Sequence, residues 1–149
     1  MKLEFSGAPE VGVPRAVVWQ RLTDPEFVAA SAPGVEAVES ISPTHFRVTS
    51  GLGVGTMRVQ FGLDVELSDL VEPERLRMVS RGKGAGSEVD VVSSVRLEEL
   101  GSTRTRLTWA ATCTVSGMLA NLGGRFIEAT ARRLTEDFWS DFAERAGKG

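Results

Sequence analysis

From Met57 to Ser68 the chain alternates without interruption: Met57, Val59, Phe61, Leu63, Val65 and Leu67 are apolar, and Arg58, Gln60, Gly62, Asp64, Glu66 and Ser68 between them are polar or small. A period of two sends successive side chains to opposite faces of an extended chain, so this segment is one long strand with a wet face and a dry face. A strand of this kind needs neighbours that present the same two faces. Phe46, Val48, Ser50, Leu52 and Val54 form a second inward set, and Leu76, Met78 and Ser80 a third. Val89, Val91, Ser93, Val95 and Leu97 form a fourth, and Leu107, Trp109, Ala111, Cys113 and Val115 a fifth. The opposite faces carry Arg47, Arg75, Arg77, Arg81, Arg96, Arg104 and Arg106 among other polar residues. Short turn signals at 42–44, 51–55, 72–74, 82–86 and 100–102 separate the runs. Connections this short join antiparallel strands and leave no room for the helical crossovers of a parallel sheet.

The flanks of this meander read as helix. Leu3 to Val13 is an extended piece broken near Pro9, and Pro14 then opens a short amphipathic helix over 15–22, with Val18, Trp19 and Leu22 on one side. Asp24 is placed to cap a second short helix with Pro25 at its first position, running to Ala30 before the Pro33-Gly34 stop. At the other end, Met118 to Arg145 reads as one long helix, whose apolar stripe is Leu119, Leu122, Phe126, Ile127, Thr130, Leu134, Phe138 and Phe142. Its length of about 40 Å would cross a sheet from end to end. The predicted fold is α+β. A curved antiparallel sheet of about seven strands wraps round a long C-terminal helix, a helix-grip architecture, with two short helices after the first strand. With 149 residues the chain has the length of a single domain, 1–149.

Several function classes are set aside by residue type. Lys and Arg number 17 against 20 Asp and Glu, a net charge of −3 without long runs of one sign, so the footprint for a phosphate backbone is missing and nucleic acid is not an expected partner. Cys113 is the one cysteine and His45 the one histidine, so no zinc site can be built from His and Cys ligands; neither a metal nor a cofactor is expected. His45 reads as a polar residue at the edge of a turn, and Cys113 as a small buried side chain on a strand. Tyrosine is absent, which removes the usual phenolic acid. Gly51 to Gly55 and Gly82 to Gly86 resemble phosphate loops in composition, yet strand pattern resumes after both, so they read as hairpin turns. Asp137 and Asp141, one helical turn apart, read as solvated edge residues, with Arg133 as an ion-pair partner for Asp137. No run of residues suits a membrane span or a signal peptide, and the cytoplasm is the expected location.

The dry faces mix large residues with small polar ones, Ser50, Ser80, Ser93 and Thr130 among them. Cores are normally filled to close packing, so small polar residues there point either to room for a guest or to accommodation of sheet curvature. Two stretches carry a family signal. Asp24-Pro25-Glu26-Phe27-Val28-Ala29-Ala30 leading to Ala32-Pro33-Gly34-Val35-Glu36, and Ser116 through Gly123-Gly124-Arg125-Phe126-Ile127 to Phe138, resemble the CoxG family, named for a subunit of carbon monoxide dehydrogenase, of the START-like (SRPBCC) superfamily. The resemblance covers essentially the whole chain and implies a deep apolar cavity between sheet and C-terminal helix that takes up lipids, sterols, polyketides or other hydrophobic molecules. It further implies association with a molybdenum hydroxylase such as carbon monoxide dehydrogenase, handling of quinone, and a role at the membrane. The chain stops at Gly149, where many relatives continue into a tail, so at most peripheral contact with the inner face of the membrane is expected. The expected reading is a non-enzymatic binder of a hydrophobic small molecule, a lipid or an isoprenoid quinone. Its cavity is expected to be lined by Phe61, Met78, Val91, Trp109, Phe126 and Thr130, with Trp19 and Phe27 near an entrance. The alternative is a polyketide cyclase or hydratase using the same cavity.

Overall fold

The computed structural model describes residues 1–54 and 56–148; Gly55 of the 51–55 turn, the side chain of Val54 in the second inward set, and Gly149 lie outside the described residues. Among the described residues eight strands form one antiparallel sheet: β1 (Lys2–Gly7), β2 (Glu10–Val11), β3 (Val35–Ser42), β4 (His45–Val54), β5 (Met57–Val71), β6 (Arg75–Gly84), β7 (Ser87–Glu99) and β8 (Thr105–Gly117). Their spatial order is β1-β8-β7-β6-β5-β4-β3, with β2 also pairing β8. The strand beyond the expected seven is the two-residue β2, which exists because Pro9 splits the first extended segment in two. Proline lacks the N–H that a continuous ladder needs.

Turn chemistry explains the meander. Gly84 pairs Ser87, and the two residues between them, Ala85 and Gly86, have φ of 51° and 69°. Positive φ at both central positions is the geometry that matches the twist of a tight hairpin, so the glycine-rich 82–86 segment is strand and turn with no helix behind it. At the other end of the sheet two short helices follow β2: α1 (Arg15–Leu22) and α2 (Pro25–Ala29). The Asp24 carboxylate accepts hydrogen bonds from the Glu26 and Phe27 N–H groups at 3.2 and 3.4 Å, which caps α2.

The C-terminal segment departs from the single helix expected from Met118. Met118–Leu122 is a short 3-10 helix, and α3 runs Gly124–Gly147, about 36 Å long. Gly123 between them has φ of 106°, a backbone state that interrupts the helical hydrogen-bond ladder and that glycine adopts without a Cβ penalty. The buried face of α3 also differs from the expected stripe. Ile127, Trp139, Phe142, Ala143 and Ala146 are buried along α3, whereas Leu122 and Phe126 are 41% and 39% exposed. At 100° per residue Phe126 lies roughly 160° around the helix from Phe142, on the opposite side from the core.

One apolar core runs through the molecule, with Leu22, Phe46, Leu107 and Phe142 fully enclosed. The α3 backbone approaches β1, β2, α1 and the 3-10 helix at close range. Its middle turns stand off the central strands, and the side chains that face each other across that gap form the site described next.

A cavity between the sheet and the terminal helix

The gap is an apolar cavity of about 240 Å³. Its floor is the inward face of the sheet: Phe46, Val48, Ser50 and Leu52 from β4, Phe61, Leu63 and Val65 from β5, Met78 and Ser80 from β6, Val89, Val91 and Ser93 from β7, and Cys113 and Val115 from β8. Its roof is α3, through Ile127, Thr130, Ala131, Leu134, Thr135, Phe138 and Trp139. Val28, Ala29, Ala32 and Pro33, from α2 and the segment after it, close one end, and Leu119 of the 3-10 helix stands at the wall as well. The arrangement follows from the alternating pattern: every second residue on five strands points to the same space.

The ends of α3 are held firmly. Near its C-terminus Trp139 stacks on Trp109 with ring centroids 5.9 Å apart and planes at 18°, while Phe142 meets Phe27 edge-on at 5.6 Å. Arg145 donates from Nη2 to the Phe27 carbonyl at 2.6 Å and to Ser31 Oγ, and its guanidinium lies 4.2 Å from the centre of the Phe27 ring. Ahead of α3, the Leu119 N–H donates to Ser87 Oγ at 2.9 Å, which fixes the 3-10 helix to the start of β7. On the solvent side of α3 the ion pairs are Glu128–Arg132 at 3.2 Å, Asp141–Arg145 at 2.9 Å and Glu144–Lys148 at 3.4 Å, in place of the expected Arg133 and Asp137. An acid four residues before a base suits the helix dipole, and the reverse order does not.

Of the residues expected to line a cavity, Phe61, Met78, Val91 and Thr130 are on its wall. Four are elsewhere. Trp109 is buried behind Trp139, which covers it and takes its place at the wall. Phe126 is on the outer side of α3 because the i, i+4 stripe drifts round the helix, which leaves it opposite Phe142. Trp19 is buried in the core with Val18 and Leu22 and does not reach the cavity. Phe27 is likewise off the wall, enclosed by Phe142, Arg145 and Arg21, the last 5.2 Å from its ring centre. Reading the sequence missed Trp139 and Arg145. Trp139 sits one residue after Phe138 in the same apolar stripe, a signal that a wider stripe would have caught.

The wall is poor in ionisable groups. Among the described residues that line it, Cys113 is the one with an ionisable side chain, and burial, with Asp90 nearby, pushes its thiol up to about 11. A thiol of that kind is neutral and a poor nucleophile. The titratable cluster of note lies outside, on the solvent face of β4 and β5, where His45 Nε2 is 2.6 Å from Asp64 and 3.9 Å from Glu66. The three ligand-type atoms lie within 4.8 Å of one another, and Arg47 Nε is 3.3 Å from the same Asp64 oxygen. Hydrogen bonds from His45 and then Arg47 hold the Asp64 carboxyl below its ordinary range. A cation placed there would meet the charge of Arg47.

A family model described as the CoxG subunit of carbon monoxide dehydrogenase matches residues 7–147. No curated protein matches the sequence at a significant level. Among solved structures, a conserved protein from Geobacillus kaustophilus is 22% identical with a TM-score of 0.87, over 98% of this chain and 96% of that one. A START superfamily protein from Mycobacterium smegmatis is 13% identical with a TM-score of 0.71, over 97% of both chains. The Zhui aromatase/cyclase from Streptomyces sp. R1128 is 15% identical with a TM-score of 0.70, over 98% of this chain and 94% of that one. At these identities the likeness is one of fold, and it is the helix-grip, START-like fold. Among the described residues no helix is long and apolar enough to cross a membrane.

Proposed function

The chain belongs to the CoxG family of carbon monoxide dehydrogenase subunits, and we propose that it binds or carries a hydrophobic small molecule, a lipid or an isoprenoid quinone, in the cavity beneath α3. The observation that carries this reading is the cavity itself: about 240 Å³ of space with a wall built almost wholly of aliphatic, aromatic and small side chains. Pockets of this character bind by burial. At roughly 25 cal/mol per Å², covering about 300 Å² of apolar ligand contributes around 7 kcal/mol before ordering costs. No reacting side chain is needed for that, and we read the protein as a non-enzymatic accessory. Its family relationship supports placing it beside a molybdenum hydroxylase of the carbon monoxide dehydrogenase kind. In this reading it works in the cytoplasm, with membrane contact limited to the periphery.

A cyclase or hydratase reading has one observation in its favour, the shared fold with the Zhui aromatase/cyclase. The wall offers it no carboxylate, imidazole, guanidinium or ammonium among the described residues, so it ranks second. The deciding experiment is organic extraction of the purified protein with mass spectrometry of the extract, followed by equilibrium dialysis of the stripped protein against quinones and lipids. Stoichiometric cargo, or uptake of an offered lipophile, supports the binder. An empty protein that takes up none of them overturns it.

A further inference from the structure

The outer face of the sheet, away from α3, carries charges that match across the strands. One row crosses β3 to β7 in register: Glu39 opposite Arg47, Arg47 opposite Asp64, Asp64 opposite Arg81 and Arg81 opposite Asp90. Lys83 faces Glu88, and Arg106 faces Glu98 on one side and Glu10 on the other. Opposite charges at facing positions stabilise a sheet, and like charges there destabilise it. Among the described pairs one place breaks this order. Arg75 of β6 lies directly opposite Arg96 of β7, and Arg77, two residues along β6, faces Ser94.

The other neighbours of these three arginines do not compensate. Arg75 meets Val71 on its far side, Arg77 meets Ser68, and Arg96 meets Thr108. Ion pairs on this face join Arg47 to Asp64, Arg58 to Glu36, Lys83 to Glu88 and Arg106 to Glu98, and among the described residues none reaches Arg75, Arg77 or Arg96. All three are exposed. They line an open groove of about 660 Å³ together with Leu70 and Val71 and with one carboxylate, that of Asp69. The register of β5 slips between Ser68 and Val71, with Asp69 at φ of 51°, and Leu70 and Val71 are left 41% and 37% exposed beside the cations. An adjoining depression shares Arg75 and Arg96 and adds Arg15, whose Nε is buried without a partner, along with Glu74, Glu98 and Glu99. The uncompensated cations thus lie in the groove, and acids stand at its rim.

We propose that this groove docks an acidic segment of a partner protein, whose carboxylates pair with Arg75, Arg77 and Arg96 while an apolar side chain of the same segment covers Leu70 and Val71. Arginine offers a planar fork that pairs carboxylates bidentately, and it is enriched in protein interfaces where lysine is depleted. A facing pair of arginines weakens the free sheet, and an incoming carboxylate between them turns that repulsion into attraction. The apolar shelf separates this partner from a free phosphate, which would leave Leu70 and Val71 uncovered. The rim separates it from an anionic bilayer: a broad negative surface meets Glu74, Glu98 and Glu99 along with the arginines, whereas a single segment enters between them. The proposal goes beyond the cargo reading and does not depend on it, because lipophile uptake tests the cavity and peptide binding tests the opposite face of the sheet.

The test is fluorescence anisotropy of a dye-labelled decapeptide of alternating glutamate and leucine against the full chain at low ionic strength, with the glutamine–leucine counterpart as neutral probe. The acidic peptide should bind at least about 30-fold more tightly than the neutral one. Arg77→Gln and Arg96→Gln should each weaken it about tenfold, and Leu70→Ser about threefold. Arg81→Gln, which removes the same charge from the matched row, should leave it within about twofold. Arg75→Glu sets a carboxylate against Arg96 and restores the alternation; it should raise Tm by about 1–3 °C while weakening the peptide at least about 100-fold. A purely structural pair would not move stability and binding in opposite directions. Absence of acidic-peptide binding, or an equal loss in Arg81→Gln, overturns the site, as does a fall in Tm with affinity kept in Arg75→Glu. Phosphatidylglycerol vesicles or pyrophosphate bound as tightly as the peptide and through the same arginines would overturn the protein partner in favour of a lipid surface or a free phosphate.

Discussion

Replacing Thr130 by Trp places an indole into the cavity from the roof, and its consequences can be worked from the geometry. Thr130 lies on the cavity wall in the middle of α3, away from the contacts that hold the helix ends. An apolar void destabilises its surroundings by about 24 cal/mol per Å³, so 240 Å³ left empty corresponds to about 6 kcal/mol forgone. An indole that occupies around half of the space recovers about 3 kcal/mol, and overpacking strain takes back about 1–3 kcal/mol. The stripped variant should therefore be as stable as the stripped wild type or up to about 2 kcal/mol more stable, measured by urea unfolding with an unchanged denaturant slope. Uptake of a lipophile should fall at least 100-fold, since the indole occupies the space that a ligand needs, and equilibrium dialysis reads this directly. Unaltered uptake in a folded variant would show that cargo does not lie beneath Thr130. A loss of stability well beyond 3 kcal/mol would show that the space is not there to be filled.

Three further outcomes follow from single residues. Ser50→Ala should stabilise the ligand-free protein by about 1 kcal/mol, raising Tm by about 2–4 °C, because it deletes an unpaired buried hydroxyl; destabilisation would mean that the hydroxyl is paired in the free protein. Cys113, with its thiol at about 11 against an ordinary 9.0, should be alkylated by iodoacetamide at pH 8 at least about 100-fold more slowly than in the unfolded chain, and rates within tenfold would refute its burial. Asp64 has a folded-state pKa below its ordinary 3.8, so the stability it contributes is present above that value and lost as the pH falls through the lowered one. His45→Ala should raise the Asp64 pKa toward 3.8 in a carboxyl NMR titration, and no movement would remove the hydrogen bond from the account.

The strands were legible because alternation is a local property: each inward residue on β4 to β8 can be counted off by parity without knowing what it touches. The Asp24 cap and the 15–22 helix were legible for the same reason, since a cap and the turn it serves are neighbours in sequence. The errors fall where the outcome depends on distant partners or on one backbone angle. The spacing of Leu119, Leu122 and Phe126 continues a helical stripe straight through Gly123, and nothing in that spacing reveals a φ of 106°. Trp109 has the parity of a wall residue and would be one if Trp139, 30 positions later, did not lie across it. Ser50, Ser80 and Ser93 look alike in the pattern. Which of them has its hydroxyl closed off without a partner is decided by the packing around each strand, and that is Ser50.

That the cavity stays open calls for an explanation of its own, because a helix over an empty apolar space gains several kcal/mol by settling onto the sheet. What prevents it is the fastening of α3 at both ends. At the C-terminal end Trp139 rests on Trp109, Phe142 on Phe27, and Arg145 ties the helix to α2 through Phe27 and Ser31. At the other end Gly123 turns the chain sharply and the Ser87–Leu119 hydrogen bond holds the 3-10 helix to β7. The large stacked rings set the standoff at one end, and three of the roof residues between the fastenings, Thr130, Ala131 and Thr135, are too small to bridge it. Settling would require breaking the aromatic stack or the Arg145 contacts, each of which offsets part of the gain from closing the void. The space is therefore held by its rim, and relaxing that rim is the direct way to close it. Arg145→Met keeps the stem and removes the hydrogen bonds to Phe27 and Ser31; it should lower lipophile uptake in dialysis although Arg145 is not on the cavity wall. Unchanged uptake in that variant would mean that the aromatic stack alone sustains the opening.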